Sequence, residues 1–242
     1  MNKLIYLLWP CRPMERAARR TTLLDRCAPA LLDSGVRYLT MNIDDDFAKV
    51  PSPTPTTKLT NPFVAEVSVW IDQMGTASRV ESILLDAGFD LAGYRVTEHL
   101  YTDYGGNQHS SPRDWPDGQR SPGIVSVTPL ERPKRIAKDE WMRHWFRRQG
   151  PMSEAMQPRS RYVRNVVLDV LTPDAVPYEG IVEESWPSAE HMTDPMRFYG
   201  ARSRLELLKN MAIMMHSVAT FLPIWKITSV TTSEYFIRTP HS

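Results

Sequence analysis

The sequence predicts an α+β protein made of two related halves, each with the order strand–helix–strand–strand–helix–strand. Short runs of strand length alternate with longer segments of helical periodicity. This order occurs once before and once after a stretch rich in Gly, Ser and Pro, and short sequence matches recur at corresponding places. We therefore assign residues 1–104 to a first half, residues 105–122 to a connecting loop and residues 123–242 to a second half.

The first half contains four predicted strands and two predicted helices. The strands cover residues 3–9, 36–43, 63–71 and 94–104, and the helices cover residues 14–34 and 76–88. Pro29 predicts a kink in the first helix because proline lacks the amide hydrogen that a helix interior needs. Gly88 follows the second helix and ends it. Residues 51–62 hold four prolines and four threonines and are predicted to form a loop.

The second half repeats the pattern. Its predicted strands cover residues 123–130, 161–171, 178–186 and 227–237, and its helices cover residues 138–149 and 203–222. The last helix is rich in Leu and Met over a surface wider than one packing face needs. We expect a buried core helix there. The alternative is that a partner subunit covers the excess in a homodimer.

Three pairs of short matches indicate an internal duplication. They are Arg37-Tyr38-Leu39 with Arg161-Tyr162-Val163, the segment 66–70 with 182–186, and Val96-Thr97 and Tyr101 with Val230-Thr231 and Tyr235. They occur in the same order, and the differences in spacing fall where loops are expected.

Each such unit leaves one sheet face bare, because both of its helices cover the other face. The bare faces are apolar or mixed, so they must be shielded from water. Packing the two sheets face to face achieves this within one chain and encloses a cavity. We expect the less uniformly apolar face of each strand to point inward. These residues are Tyr38, Thr40, Asn42, Glu66, Ser68, Trp70, Arg95, Thr97, His99, Tyr101, Tyr162, Arg164, Glu184, Trp186, Thr231, Ser233 and Tyr235.

Composition narrows the functional classes. A formal net charge of +1 offers no basic field for a phosphate backbone, so nucleic acid is not an expected partner. No run suits a secretory leader or a membrane span, and Cys11 and Cys27 suit free thiols, which together predict a cytoplasmic protein with no membrane partner. No nucleotide, flavin or zinc motif occurs, so we expect no cofactor and no metal.

The predicted catalytic residues are Arg95, His99 and Tyr101, which alternate along one strand and therefore share a face. In a cavity they would supply an anion-binding guanidinium, a proton-transfer group and a phenol. The alternative is structural: His99 hydrogen-bonds across the sheet and Arg95 pairs with Glu66.

The predicted substrate-binding residues would form the cavity walls. The two tryptophans suit a flat aromatic ligand and the phenols supply hydrogen bonds, although each of these residues could equally be structural. They are Tyr38, Glu66, Trp70, Tyr162, Glu184, Trp186 and Tyr235.

The second half resembles the EthD-like family of the dimeric α+β barrel superfamily, whose units have a ferredoxin-like fold. The matching residues are Glu140-Trp141, Trp145, Gln149-Gly150-Pro151, Arg161-Tyr162-Val163, Asn165, Tyr178-Glu179-Gly180-Ile181 and Trp186, with Glu98-His99 in the first half. The family has His where this chain has Gln149, and an amide cannot shuttle protons near neutral pH. The resemblance implies tandem ferredoxin-like repeats that form one barrel.

Relatives of this kind include cofactor-free enzymes on aromatic or polyketide-like substrates. The resemblance, together with the polar cluster, predicts a cofactor-independent lyase or isomerase that decarboxylates or dehydrates a small phenolic, aromatic or polyketide-like carboxylic acid. One alternative is a non-catalytic binding protein for a hydrophobic small molecule. Another is a haem-binding or monooxygenase-type barrel, for which His99, His144, His191 and His216 are the candidate ligands.

Overall fold

Eight strands form a closed antiparallel barrel within the single chain. The computed structural model describes residues 1–51 and 61–240, so most of the predicted loop at 51–62 lies outside the described residues. The strands are β1 (Asn2–Pro10), β2 (Tyr38–Ile43), β3 (Ala65–Ile71), β4 (Phe89–Thr102), β5 (Ile124–Leu130), β6 (Arg161–Val170), β7 (Gly180–Trp186) and β8 (Val230–Arg238). The predicted α+β class and the barrel are confirmed.

The order of the strands around the barrel is β1-β3-β2-β8-β5-β7-β6-β4, and β4 returns to β1. Strands of the first half are neighbours in the order β4-β1-β3-β2, and those of the second half in the order β8-β5-β7-β6. Two antiparallel seams join the halves, β2 with β8 and β4 with β6. Closure leaves no strand edge of the barrel unpaired.

Helices cover the outside of the barrel. Helix α1 runs as Arg16–Thr21, Thr22–Cys27 and Ala28–Asp33, and α2 is Ala77–Asp86. Helix α3 runs as Lys138–His144, Trp145–Gln149 and Gly150–Met156, and α4 (Glu190–Thr193), α5 (Pro195–Phe198) and α6 (Arg204–Phe221) follow. Short 3₁₀ turns occur at Asp46–Ala48, Met74–Thr76 and Ile224–Lys226.

The first helix of each half contains a π-helical segment that ends just before a proline. In α1 the π segment precedes Pro29, and in α3 it precedes Pro151. Proline has no amide hydrogen to continue the i→i−4 ladder, and a π segment is one way to absorb the lost bond. The irregularity predicted at Pro29 is therefore present as a π segment.

The two faces of the barrel wall bury different apolar cores. Outside, Leu4, Tyr6 and Leu8 of β1 pack with residues of α1 and α2 such as Leu31 and Leu84. Inside, side chains from six strands meet in one apolar layer. These residues are Ile5, Leu7, Tyr94, Val96, Val125, Val127, Val167, Ile181 and Val230. A third core packs Trp141, Trp145 and Phe221 against the outer face of the second-half strands.

The predicted inner faces are right for two strands and wrong for the others. In β2 and β3, Asn42, Glu66 and Ser68 point into the barrel as predicted. In β4, β6, β7 and β8, the predicted inward residues lie outside, and their sequence neighbours point inward. The polarity of a strand face does not predict which face points inward in these four strands. The barrel interior contains an apolar layer, and polar side chains also lie beneath the outer helices.

Helix α6 is not the buried core helix that the sequence predicts. Only Met214 and Phe221 are buried among its residues, whereas Leu205 is 79% exposed and Leu208 is 65% exposed. No helix in the described part of the chain is long and apolar enough to cross a membrane.

We expect Gly180→Ala to destabilise the protein and Gly75→Ala to be nearly neutral. An added Cβ at Gly180 would lie 2.5 Å from the Trp145 ring, whereas at Gly75 it would meet no atom within 4 Å. Overpacking of this kind costs about 1–3 kcal/mol of unfolding free energy. Urea denaturation of both variants measures the difference. Equal stabilities would contradict this description of the Trp145 contact.

Candidate functional site

The barrel interior carries a buried network of charges, here called the interior ion cluster, centred on Lys3 of β1. The Lys3 Nζ donates to Glu98 at 2.6 Å, to Asn165 at 2.9 Å and to Glu183 at 3.3 Å, which lie on β4, β6 and β7. Burial alone would lower the pKa of Lys3, but Glu183, Glu98 and Glu66 outweigh it and raise the pKa. The lysine is therefore charged and joins four strands.

Arg161 of β6 extends the interior ion cluster toward β8. Its guanidinium lies 3.3 Å from Glu234 and 3.7 Å from Glu183, and its Nε donates to Asp103. Glu234 also accepts a hydrogen bond of 2.8 Å from the Tyr104 phenol. Burial raises the pKa of Glu234, and Arg161 opposes this only in part.

Glu66 is a further buried carboxylate of the interior ion cluster with a raised pKa. It is fully buried and accepts hydrogen bonds from Ser68 and Asn42, each about 2.5 Å long. Burial, and then the charge of Glu183, raise the pKa of Glu66 to about 8, while Lys3 opposes the shift. Glu66 therefore holds a proton at neutral pH.

A cavity of about 700 Å³, the barrel-mouth cavity, lies next to the interior ion cluster. Glu98 and Arg161 belong to the cluster and also line the cavity, and residues from the connection between the halves contribute to its wall. Its aromatic lining residues are Tyr38, Trp70, Tyr104, Trp115 and Phe236. Small-molecule sites typically have volumes of about 300–1,000 Å³.

A second cavity, the helix-side pocket, lies outside the barrel between the second-half sheet and helices α3 and α6. Its volume is about 170 Å³. The lining is mostly apolar and includes Trp145, Val182, Met214 and Phe221. Its polar lining residues are Ser126, Thr128, Gln149, Ser153, Gln157, Tyr162, Glu184, Tyr199 and Ser229.

The charged group in the wall of the helix-side pocket is Glu184 of β7. It pairs with Arg159, which is fully buried and also pairs with Glu154 at 2.8 Å. The Arg159 guanidinium additionally donates to Ser153 at 3.0 Å and stacks on the Tyr162 ring at 3.9 Å. Two carboxylates share one cation, so Glu184 is held in place and Arg159 is not free for a ligand.

Tyr162 and Gln149 complete the polar side of the helix-side pocket. Burial raises the pKa of Tyr162, with Arg159 opposing, and the Trp145 indole is a hydrogen-bond partner of the phenol. The phenol therefore stays protonated near neutral pH. Gln149 Nε2 contacts the Met214 sulfur at 3.2 Å, and its Oε1 is buried with no hydrogen-bond partner among the described residues.

The predicted catalytic residues share a face as expected, but that face lies outside the barrel, so their placement in the cavity is wrong. Arg95 pairs with Asp169, which excludes the alternative pairing with Glu66. The exposed His99 ring lies 5.0 Å from Phe146 of α3, edge to face, and Tyr101 lies beneath Arg164. The cause is the inner-face position of Tyr94 and Val96, which places alternate residues of β4 outside. The catalytic role of the three residues stays a prediction.

The predicted substrate-binding residues divide among several places. Tyr38 and Trp70 line the barrel-mouth cavity, with Glu66 in the adjoining ion cluster, whereas Tyr162 and Glu184 line the helix-side pocket.

Trp186 and Tyr235 lie in neither cavity. Trp186 stacks on Phe198 at 4.7 Å, and the Tyr235 phenol donates to Asp45 at 2.6 Å outside the barrel. Thr231 and Ser233 likewise bond outward, to the backbone near Ala48 and to Asp45. Tyr235, Thr231 and Ser233 are therefore structural contacts between β8 and the chain after β2.

The sequence interpretation missed the residues that carry most of the buried charge. Lys3, Glu183 and Glu234 were assigned to no site, and neither was Arg159. Lys3 lies in a run that is otherwise apolar, and a charged residue in such a run is rarely buried without a partner. That is the signal by which Lys3 could have been found.

The candidate haem ligands lie outside both cavities. Neither lining contains a histidine or a cysteine among the described residues. His144 stacks on Phe221 at 4.7 Å and bonds to Ser217, His191 bonds to Ser188, and His216 is exposed. The described residues also hold no group of three or more His, Cys, Asp or Glu arranged to bind a metal. The side chains present do not fit a histidine-ligated haem in either cavity.

The fold is that of an eight-stranded α+β barrel known from other proteins. No protein-family model and no curated protein matches the chain. An anthrone oxidase-like protein is similar in structure, with a TM-score of 0.59 and 9% identity over 98% of this chain and 94% of that one. A mutant chlorite dismutase from Candidatus Nitrospira defluvii has a TM-score of 0.44 and 6% identity over 98% of this chain and 91% of that one. At these identities the likeness concerns the fold alone.

As pH rises, we expect the unfolding free energy of the wild type to decrease more steeply than that of Glu66→Gln. The pKa of Glu66 is about 8 in the folded state, above the value of about 4.3 in an unfolded chain. The folded state thus binds the proton more tightly than the unfolded chain. The stabilisation that this proton gives the folded state is lost as pH rises from about 4.3 toward 8. Glutamine keeps the shape and cannot ionise.

Urea denaturation at pH 6 and pH 9 measures this effect. We expect the wild type to lose more unfolding free energy than Glu66→Gln between these two pH values, by more than about 1 kcal/mol. Glu131→Gln, which removes a surface partner of Lys226, is the control and should keep the wild-type pH dependence. The same loss in Glu66→Gln as in the wild type would contradict a proton on Glu66.

Proposed function

We propose that this protein binds a small aromatic or polyketide-like molecule in the helix-side pocket and performs cofactor-independent acid–base chemistry on it. The observation that supports the proposal is that one apolar pocket contains both a proton acceptor and a proton donor. The acceptor is the fixed carboxylate of Glu184, and the donor is the protonated phenol of Tyr162. A mostly apolar lining with convergent polar groups is typical of small-molecule sites.

The pocket favours a ligand of one or two rings that carries no charge. An apolar cavity of about 150 Å³ is known to take benzene, and the helix-side pocket measures about 170 Å³. Its one charged lining residue is Glu184, while Arg159 is held by two carboxylates and Arg95 lies on another face. We therefore favour a phenol or ketone over the predicted carboxylic acid, because the described residues of the lining include no cation that could anchor a carboxylate.

The acid–base roles follow from the two side chains. Glu184 accepts a proton from the substrate, and its contact with Arg159 holds the carboxylate in place. The Tyr162 phenol donates a hydrogen bond or a proton to the developing oxyanion. An aromatic substrate delocalises the resulting negative charge itself. Isomerisation or dehydration of such a substrate then needs no cofactor, in keeping with the lyase or isomerase predicted from the sequence.

A second candidate function is an oxygenase without a cofactor. The structural neighbour with a TM-score of 0.59 is an anthrone oxidase-like protein. Anthrone and dioxygen give anthraquinone and water, and the electrons come from the substrate after its deprotonation. Glu184 could remove that proton. Three fused rings need more room than the present pocket, which displacement of the flexible Met214 and Met215 would supply.

We also infer that the two halves are tandem ferredoxin-like repeats of EthD-like type. The strand order is equivalent in both, and both first helices place a π segment before a proline. In the second half, residues that carry the resemblance gather at one place: Trp145, Gln149 and Tyr162 line the helix-side pocket, and Gly180 leaves room for the Trp145 ring. The cytoplasmic location and a homodimer that covers α6 remain predictions.

We expect Met214→Trp to block ligand binding and Met211→Trp to leave it unchanged. Both residues lie on α6, but Met214 is buried in the pocket wall and Met211 is 37% exposed outside it. Calorimetric titration with 1-naphthol should show binding to the wild type and at least roughly tenfold weaker binding to Met214→Trp. Equal affinity in all three proteins would place the ligand elsewhere.

We expect Glu184→Gln to remove turnover and Glu154→Gln to retain it. Each substitution takes one carboxylate from Arg159, so both should lose about 1–3 kcal/mol of stability. Only Glu184 lines the helix-side pocket. With a panel of phenols, polyketide-like ketones and anthrone, loss of the acid–base group should lower kcat by about 10²–10⁴.

Product formation and oxygen consumption distinguish the two candidate functions. Turnover without oxygen uptake favours a lyase or isomerase, and uptake of one dioxygen per substrate favours the oxygenase. A wild type that binds 1-naphthol but converts no member of the panel would instead indicate the non-catalytic binding protein.

A further inference from the structure

We propose that the barrel-mouth cavity is a second ligand site, which takes a small organic cation: an ammonium or guanidinium group carried on an aromatic or apolar body. The cavity measures about 700 Å³, and both halves of the chain contribute to its wall. Of its five aromatic lining residues, Tyr38 and Tyr104 have no cation of the described chain over their rings, whereas Lys3 lies over Trp70 and Arg113 lies over Phe236 and Trp115. Aromatic walls beside carboxylates are a common way to bind organic cations, because the ring faces carry partial negative charge.

The interior ion cluster beneath the cavity has more carboxylates than cations. Apart from Glu66, which holds a proton, its acidic members are Glu98, Glu183 and Glu234, and its cations are Lys3 and Arg161. Such an imbalance in an enclosed space is relieved either by protonation or by a bound cation. The arrangement therefore produces an attraction for positive charge at the cavity floor.

Within the cluster, Glu98 is the carboxylate that can meet a ligand. It lines the cavity, its side chain is 27% exposed, and it has one hydrogen-bond partner among the described residues, Lys3 at 2.6 Å. Glu66 and Glu234 are deeply buried behind it. A ligand ammonium beside Glu98 would lie within the field of the whole cluster.

Three of the cations in or beneath the cavity are already engaged, which disfavours an anionic ligand. Lys3 uses its three N–H donors on Glu98, Asn165 and Glu183. Arg161 pairs with Asp103 and Glu234, and Arg113 pairs with Asp117.

One further arginine, Arg238, also lines the cavity. It is exposed, so water screens its charge.

This site is separate from the helix-side pocket. The barrel-mouth cavity faces the barrel interior, whereas the helix-side pocket lies on the outer face of the sheet, and their linings share no residue. A ligand in one can therefore be told from a ligand in the other by substitution.

Calorimetric titration at pH 7 with three phenylalkyl probes tests the charge preference. We expect 2-phenylethylamine, a cation, to bind at least about tenfold more tightly than 2-phenylethanol or 3-phenylpropanoate. Leu100→Lys adds a positive charge to the cavity wall at a position that is 46% exposed, so the fold should tolerate it. This variant should bind the amine about tenfold more weakly, and the control Leu100→Gln should stay within about twofold of the wild type.

Two further variants locate the amine. Tyr38→Leu should weaken its binding, because it removes one aromatic wall, and Met214→Trp should leave it unchanged. The proposal is overturned if the amine and the alcohol bind equally, if the carboxylate binds more tightly, or if Leu100→Lys has no effect. Loss of amine binding in Met214→Trp would also overturn it, since the ligand would then occupy the helix-side pocket.

Discussion

The ion pairs of Lys3 connect the barrel across its interior, and much of the remaining structure depends on them. One amino group joins β1 to β4, β6 and β7, so it contacts both halves of the chain. A charge in such a place is tolerated only where carboxylates compensate its lost hydration. Closure of the barrel supplies them from opposite walls. The same closure buries Glu66 beside Glu183, and this burial is the main reason why Glu66 keeps a proton.

The outer sheet faces of the two halves are covered by helices with different kinds of side chain. In the first half, α1 and α2 cover the sheet with Leu, Val and Ile side chains that are almost fully buried. In the second half, α3 packs through Trp141 and Trp145, while α6 buries only Met214 and Phe221. The helix-side pocket occupies the space left between them. Large rigid rings on one side and flexible methionines on the other leave gaps that smaller branched side chains would fill.

The order of elements was predictable because strand and helix periodicities differ strongly in this chain, and because duplication repeats them. The side of each strand that faces inward was not. Asn42 and Glu66 were placed correctly because the opposite faces of β2 and β3 are purely apolar. Tyr162, Glu184 and His99 were misplaced because both faces of their strands carry polar residues. Arg159 precedes its strand and forms its ion pairs only in the folded chain, so no local pattern marks it.

The seam between β2 and β8 has a consequence for how the chain is made. Strand β8 comes last of the eight strands in chain order, and it pairs with a strand that begins at Tyr38. While the ribosome is still translating the second half, the first sheet is already outside the exit tunnel with its inner face uncovered. Long-range pairing of this kind folds slowly, and exposed strand edges promote aggregation. We therefore expect a chaperone to bind the nascent first half until the last strand emerges.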